Sequence, residues 1–191
     1  MERKITYYED VKDDNTQQTF KLVEERINEL GIKKVVLAST TGRTAKKAME
    51  FFEGKEVQLV IIPHQFDFAR KGSSFPKELI YELKNAGHEV HFGTMLFHTD
   101  KLYANSTPTI IADFLRCFSE GVKVCYEIVL MAADGGLVES GEKVIAVAGT
   151  GKCSDTALVM QASSTQNLSK LRVNEIICKP INELKVDPQN D

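Results

Sequence analysis

Apolar positions recur at helical spacing in four stretches and at strand density in six, and the two kinds alternate along most of the chain. Phe20, Val23, Ile27 and Leu30 fall three or four apart, so a helix runs to Leu30, with Asp14 or Asn15 able to cap it and Gly31 able to end it. A strand follows at Lys34–Ala38, and a helix carrying Ala45, Ala48, Met49 and Phe52 comes after it. Val57–Ile62 reads Val-Gln-Leu-Val-Ile-Ile, apolar enough for a strand covered on both faces. A polar loop is expected over 63–74, a short helix over Pro76–Asn85 with Pro76 in its first turn, and a strand at Glu89–Phe92. Residues 93–107 are irregular. Pro108–Ala133 holds the longest helical pattern, with Gly121 placed to kink or divide it. Strands are expected at Val144–Ala148, Thr156–Ala162 and Arg172–Lys179, residues 1–14 as an extended lead-in and 181–191 as a tail.

Strands alternating with helices predict an α/β fold. It is a three-layer, mostly parallel sheet with helices on both faces, and the closely spaced last strands give it a mixed edge. No repeat or linker divides the 191 residues, so a single domain is expected. Formal net charge is −3 and no Lys/Arg run exceeds two, which argues against nucleic acid as a partner. No apolar run approaches the ~20 residues of a membrane span. The opening Met-Glu-Arg-Lys is unlike a signal peptide, so a cytoplasmic protein with reduced thiols is expected. The four cysteines form no C-x-x-C, and Cys117 and Cys125 read as small buried hydrophobes. His88, His91 and His98 form no ligand pair, so no metal site is expected.

The chemistry-bearing stretch is Ser39-Thr40-Thr41-Gly42-Arg43-Thr44, between a strand and a helix. A helix N-terminus offers open N–H groups and partial positive charge. Hydroxyls and an Arg fork add donors, so phosphate is the natural guest. A plain helix cap with Arg43 in solvent is the other reading. Downstream, Gly149-Thr150-Gly151-Lys152-Cys153-Ser154-Asp155-Thr156-Ala157 is a second glycine loop. It lacks the first Gly and final hydroxyl of a P-loop, and Ser154 stands where a dinucleotide fingerprint needs its third Gly. It leaves a backbone that can approach a ligand, with Thr150 and Ser154 as donors and Asp155 as acceptor, or else a tight turn between strands. Lys152 beside Cys153 is able to lower a thiol pKa, although no base is near in sequence. His64 and Gln65, after Pro63, end a strand on the same expected edge, with Phe66 and Phe68 able to stack on a ring or to pack the loop down.

The Ser-x-x-Gly-Arg-Thr-Ala pattern of Ser39–Ala45 resembles the phosphate loop of the C-terminal domain of pyruvate kinase, where a Thr/Ser-x-x-Gly-Arg-Ser/Thr-Ala turn grips a phosphate of a sugar bisphosphate effector. The Gly149–Ala157 stretch resembles that domain's glycine-rich effector loop. From Tyr8 to Pro180 the chain is similar to stand-alone archaeal and bacterial proteins called pyruvate kinase C-terminal-domain-like, with support from Glu29–Lys33, Gly121–Glu127 and Met131–Leu137. The resemblance implies no pyruvate kinase activity, because that chemistry belongs to another domain. It implies a phosphorylated small molecule as partner, with flavin mononucleotide (FMN) as the candidate cofactor and a flavin-dependent oxidoreductase as one outcome. Its phosphate would sit on Thr40–Thr44, and its ribityl chain and ring against Gly149–Ala157 and the His64 segment. A regulatory sensor for a sugar phosphate or nucleotide is the alternative, and a structural protein without a ligand a third reading. The apolar helices would serve a homo-oligomer interface as readily as a core.

Overall fold

The computed structural model describes residues 2–11, 13–68 and 74–182. Strands β1 (Thr6–Tyr8), β2 (Lys34–Ala38), β3 (Gln58–Ile62), β4 (Glu89–Val90), β5 (Lys143–Ala148), β6 (Thr156–Gln161) and β7 (Arg172–Pro180) form one sheet in the order β1-β7-β6-β5-β2-β3-β4. Helices α1 (Thr16–Leu30), α2 (Arg43–Phe52), α3 (Lys77–Asn85), α4 (Asp100–Tyr103), α5 (Thr107–Arg116) and α6 (Glu120–Asp134) cover it. Neighbouring strands run parallel except where β6 meets β5 and β7, so the expected mixed character lies in β6, one strand inside β7 and the edge strand β1.

The central strands are apolar after their first residue because each of their faces is covered. Val35, Leu37, Leu59, Ile61, Ile145 and Val147 pack toward Phe20 of α1, Ala45 and Phe52 of α2, and Leu79 and Leu83 of α3. Their alternates Val36, Val60, Ile62, Val144, Ala146 and Ala148 pack toward Val122, Cys125, Ile128, Val129 and Ala132 of α6. This period-two division makes three layers.

Four expectations change. The lead-in contains β1, paired parallel with β7 from Thr6↔Cys178 to Tyr8↔Pro180. The long helix is two helices, and the break falls at 117–119, just before Gly121, where the Ser119 hydroxyl caps α6 by accepting from Val122 N at 3.0 Å. The irregular stretch includes a 3-10 turn at Leu96–His98 and α4. Cys125 is buried as expected, but Cys117 is exposed. The expected loop over 63–74 and tail over 181–191 lie partly outside the described residues, at 69–73 and 183–191.

Candidate functional site at the carboxyl edge

Between β2 and β5 the chain changes direction across the sheet. From β2 it leaves toward β3 and β4 through α2 and α3 on one face. It returns to β5, on the other side of β2, through α6 on the opposite face. A crevice opens outside the carboxyl ends of strands at such a switch point. The parallel pairing Leu37↔Val147 sets the Ser39 loop and the Gly149 loop side by side there.

The Ser39 loop is built to start a helix. Ser39 N–H donates to Ile62 O at 3.2 Å, and its buried Oγ accepts from Ala45 N at 3.1 Å. Gly42 has φ 82°, and a Cβ there would meet Leu79 Cδ2 at 2.6 Å and Pro76 Cδ at 3.0 Å. Only glycine fits both the backbone and that contact, so a larger residue at position 42 would disturb α3 as well as the loop. Lys46 N–H takes Gly42 O at 2.9 Å, while the N–H groups of Arg43 and Thr44 have no partner among the described residues. Thr41 and Arg43 are exposed, and Thr40 and Thr44 are half-buried. The Arg43 guanidinium lies 3.1 Å from Asp14, which also takes Lys47 at 2.6 Å and the N–H of Thr16 at 3.2 Å. The Lys47 hydrogen bond first, and the Thr16 hydrogen bonds after it, hold the Asp14 carboxyl at about 2.

The Gly149 loop is fastened from within. Asp155 is buried; its Oδ2 accepts from Thr150 N at 3.0 Å and its Oδ1 from the Thr156 hydroxyl at 2.7 Å. Burial pushes its carboxyl up, against the pull of the Thr150 N–H. Asp155 and Thr156 therefore act as the loop's internal frame, while Gly151 and Lys152 are exposed. Buried Ser154 joins the loop to α1 through its backbone, donating to Thr16 Oγ1 and accepting from Thr19 Oγ1, both at 3.0 Å. Thr150 is 8% exposed, and its Oγ1, although close enough to feel Asp155, is a buried hydroxyl with no partner in hydrogen-bond geometry. Cys153 lies within the fields of Arg43 and Asp14, which ties this loop to the Ser39 loop.

Burial raises the Cys153 thiol above its ordinary value, and Arg43 only partly offsets this. The lowered pKa considered from Lys152 does not arise, because Lys152 points into solvent and desolvation dominates. At neutral pH, iodoacetamide is expected to label exposed Cys117 well before Cys153, as read by peptide mass spectrometry; faster labelling of Cys153 would contradict a half-buried thiol with a raised pKa.

His64 and Gln65 reach the same edge but turn to the α6 layer. His64 is half-buried, edge-on to Phe68 at 5.0 Å, and Phe68 is edge-on to His98 at 5.1 Å. Burial, then His98, lowers the His64 pKa, so the ring is neutral at pH 7. Gln65 Oε1 accepts from Met95 N at 3.0 Å and anchors the 93–98 segment. Beside them Glu127 takes Lys123 at 2.9 Å and Phe97 N at 2.9 Å, with His98 Nδ1 3.4 Å away. The expected cleft is thus two neighbouring groups: the Ser39 and Gly149 loops with α1, and His64 and Gln65 with α6. Asp14, Thr16, Thr19, Lys123 and Glu127 were not anticipated as site residues. The helix-capping type of Asp14 was the one visible signal.

Two clefts lie elsewhere. One of about 390 Å³ is lined by Arg3, Arg26, Glu29 and Ile177, and one of about 360 Å³ sits at the amino ends of β2 and β3, between Ile32 and Val57. Among the described residues no His, Cys, Asp or Glu cluster could hold a metal, and no helix is long and apolar enough to cross a membrane.

Residues 17–160 match the pyruvate kinase alpha/beta domain family. The chain belongs to that family. The match is to the non-catalytic domain of pyruvate kinase, not to the barrel that carries the enzyme's chemistry. Among solved structures, a pyruvate kinase from Cryptosporidium parvum aligns at 18% identity and TM-score 0.39, over 73% of this chain and 21% of that one. The Cryptosporidium parvum pyruvate kinase in complex with ADP aligns at 17% and 0.38, over 73% and 22%. The chain therefore spans about a fifth of those enzymes' length.

Proposed function

We propose that this alpha/beta domain binds a phosphorylated small molecule at the β2–β5 switch point, with its phosphate on the N-terminus of α2. The observation that carries the reading is the pairing of open N–H groups on Arg43 and Thr44 with the unpartnered, buried Thr150 hydroxyl. A helix N-terminus attracts an anion, and a buried hydroxyl without a partner favours a ligand that supplies one. Thr40, Thr41 and Arg43 add donors, and Arg43 would exchange Asp14 for phosphate. FMN is the first ligand to test. Its ribityl hydroxyls suit Thr150 and the exposed backbone near Gly151, and its ring suits the Phe66–Phe68 side of the edge. Bound flavin supplies hydride chemistry, and the protein positions it. The family match to a non-catalytic domain favours a second reading, a sensor for a sugar phosphate or nucleotide at the same loop.

The test is the visible spectrum of purified protein followed by FMN titration. Yellow protein or saturable binding supports the flavin reading. Colourless protein stabilised by sugar phosphates or nucleotides supports the sensor, and no response to any phosphate ligand removes both. Arg43→Ala is expected to weaken binding about tenfold or more, since a charge-assisted contact contributes about 1.5–3 kcal/mol. Asp14→Asn is expected to act oppositely and tighten it, by releasing Arg43 and Lys47. Unchanged affinity in both variants would take this loop out of the site.

A further inference from the structure

Six large apolar side chains of α4, α5 and the turn after α5 are exposed, away from the carboxyl-edge loops. Leu102, Tyr103, Ile110, Ile111, Phe114 and Phe118 are between 45% and 70% exposed. Ile110, Phe114 and Phe118 follow one another at intervals of four, and the turn after α5 keeps this spacing because Phe118 N–H donates to Leu115 O at 3.1 Å. Ala112 and Leu115, on the other side of α5, are buried. The helix is therefore packed on one side and apolar on both.

We propose that this face docks on the same face of a second copy of the chain. Six such side chains expose on the order of 600 Å² of largely apolar area, near the ~800 Å² per partner of a stable dimer and at the upper limit for a free monomer surface. A two-fold contact places each patch on itself, so the patch must be free of net charge. Asp100 is balanced by Lys101, and the other two carboxylates are held within their own chain, Asp113 by Arg116 at 2.8 Å and Glu120 by Arg116 at 2.5 Å and Lys123 at 3.9 Å. A second copy brings an equal and complementary apolar area.

Sedimentation velocity on the full chain at micromolar concentration tests this. The wild type is expected at twice the 21.4 kDa chain mass, or an even multiple of it. Ile110→Glu with Phe114→Glu is expected to halve that mass while leaving the circular dichroism spectrum unchanged, because both side chains are exposed. Tyr103→Lys on α4 provides a milder variant with the same expected direction if the double variant folds poorly. A wild type that sediments as a single chain overturns the proposal and gives the face to a different partner. An assembly whose mass survives both variants overturns it as well.

Discussion

Gly149→Ala will be the most damaging conservative change in the carboxyl-edge loops. A Cβ at this position would lie 2.1 Å from Cys153 O and 2.9 Å from both Asp155 N and Ser154 Cα. All three are backbone atoms, so no side chain can swing aside, and the loop must open. Opening it breaks the Asp155 N–H bond to Ala148 O and the Thr150 N–H bond to the Asp155 carboxylate, which then stands buried without its donor. Overpacking costs about 1–3 kcal/mol, and an orphaned buried polar group a similar amount. The expected loss is about 3–5 kcal/mol, a fall in melting temperature of roughly 10 °C or more for a domain of this size. Lys152→Ala, an exposed side chain in the same loop, should stay within about 0.5 kcal/mol of wild type. Thermal unfolding of the two variants separates the effects, and equal melting temperatures would show that the loop does not pack as described.

The second large effect belongs to α6. Lys123 and Glu127 are almost wholly buried, one turn apart and 2.9 Å from each other. Removing one charge strands the other. Glu127→Leu leaves the Lys123 ammonium with Glu120 at 3.9 Å and the Phe97 ring at 5.7 Å, and should destabilise by about 3–5 kcal/mol. Lys123→Met together with Glu127→Leu should recover most of that loss, because a matched apolar pair replaces a matched ionic one. The pair also predicts a pH dependence. Burial alone would raise the Glu127 carboxyl, but His98, Lys123 and the Phe97 N–H together hold it at about 2. A folded pKa below the unfolded value of about 4.3 means that the stabilisation is complete above that value. It is lost as pH falls toward about 2, and it amounts to about 3 kcal/mol. Denaturant midpoints measured across this range should fall more steeply in the wild type than in the double variant, which keeps only the slope from Asp14 and the other lowered carboxyls. Parallel profiles would remove Glu127 as the source.

The sequence and the structure agree where local pattern and burial act in the same direction. β2, β3 and β5 are continuous apolar runs because both their faces are covered, and that signal survives without any tertiary information. β1 was illegible for the opposite reason. Thr6–Tyr8 is three residues long with one buried side chain, and its strand character comes from β7, far along the chain. The break before α6 was hidden because the apolar spacing carries across 117–119, although Ser119 followed by Glu120 is itself a helix start. In the candidate site, the turn from Ser39 to Thr44 between a strand and a helix could be read from residue types at fixed spacing. The partners of those residues could not. Asp155 looks like a surface acceptor until Thr150 and Thr156 close on it, and Lys123 and Glu127 look like an ordinary solvent-facing helix pair until Phe97 and His98 cover them.

The pairing of the first strand with the last has a consequence for how the protein is made. On the ribosome, Thr6–Tyr8 emerges early, but its partner Cys178–Pro180 is among the last described residues to be translated. Until then β1 has no neighbour, and α1, whose Thr16 and Thr19 bond to Ser154, lacks its own contact. The β2–α2–β3–α3 unit can collapse on itself during elongation, since its pairings are between neighbours in sequence. The nascent chain must therefore hold Thr6–Tyr8 in waiting while the intervening elements are made, and complete the sheet only as β7 is released.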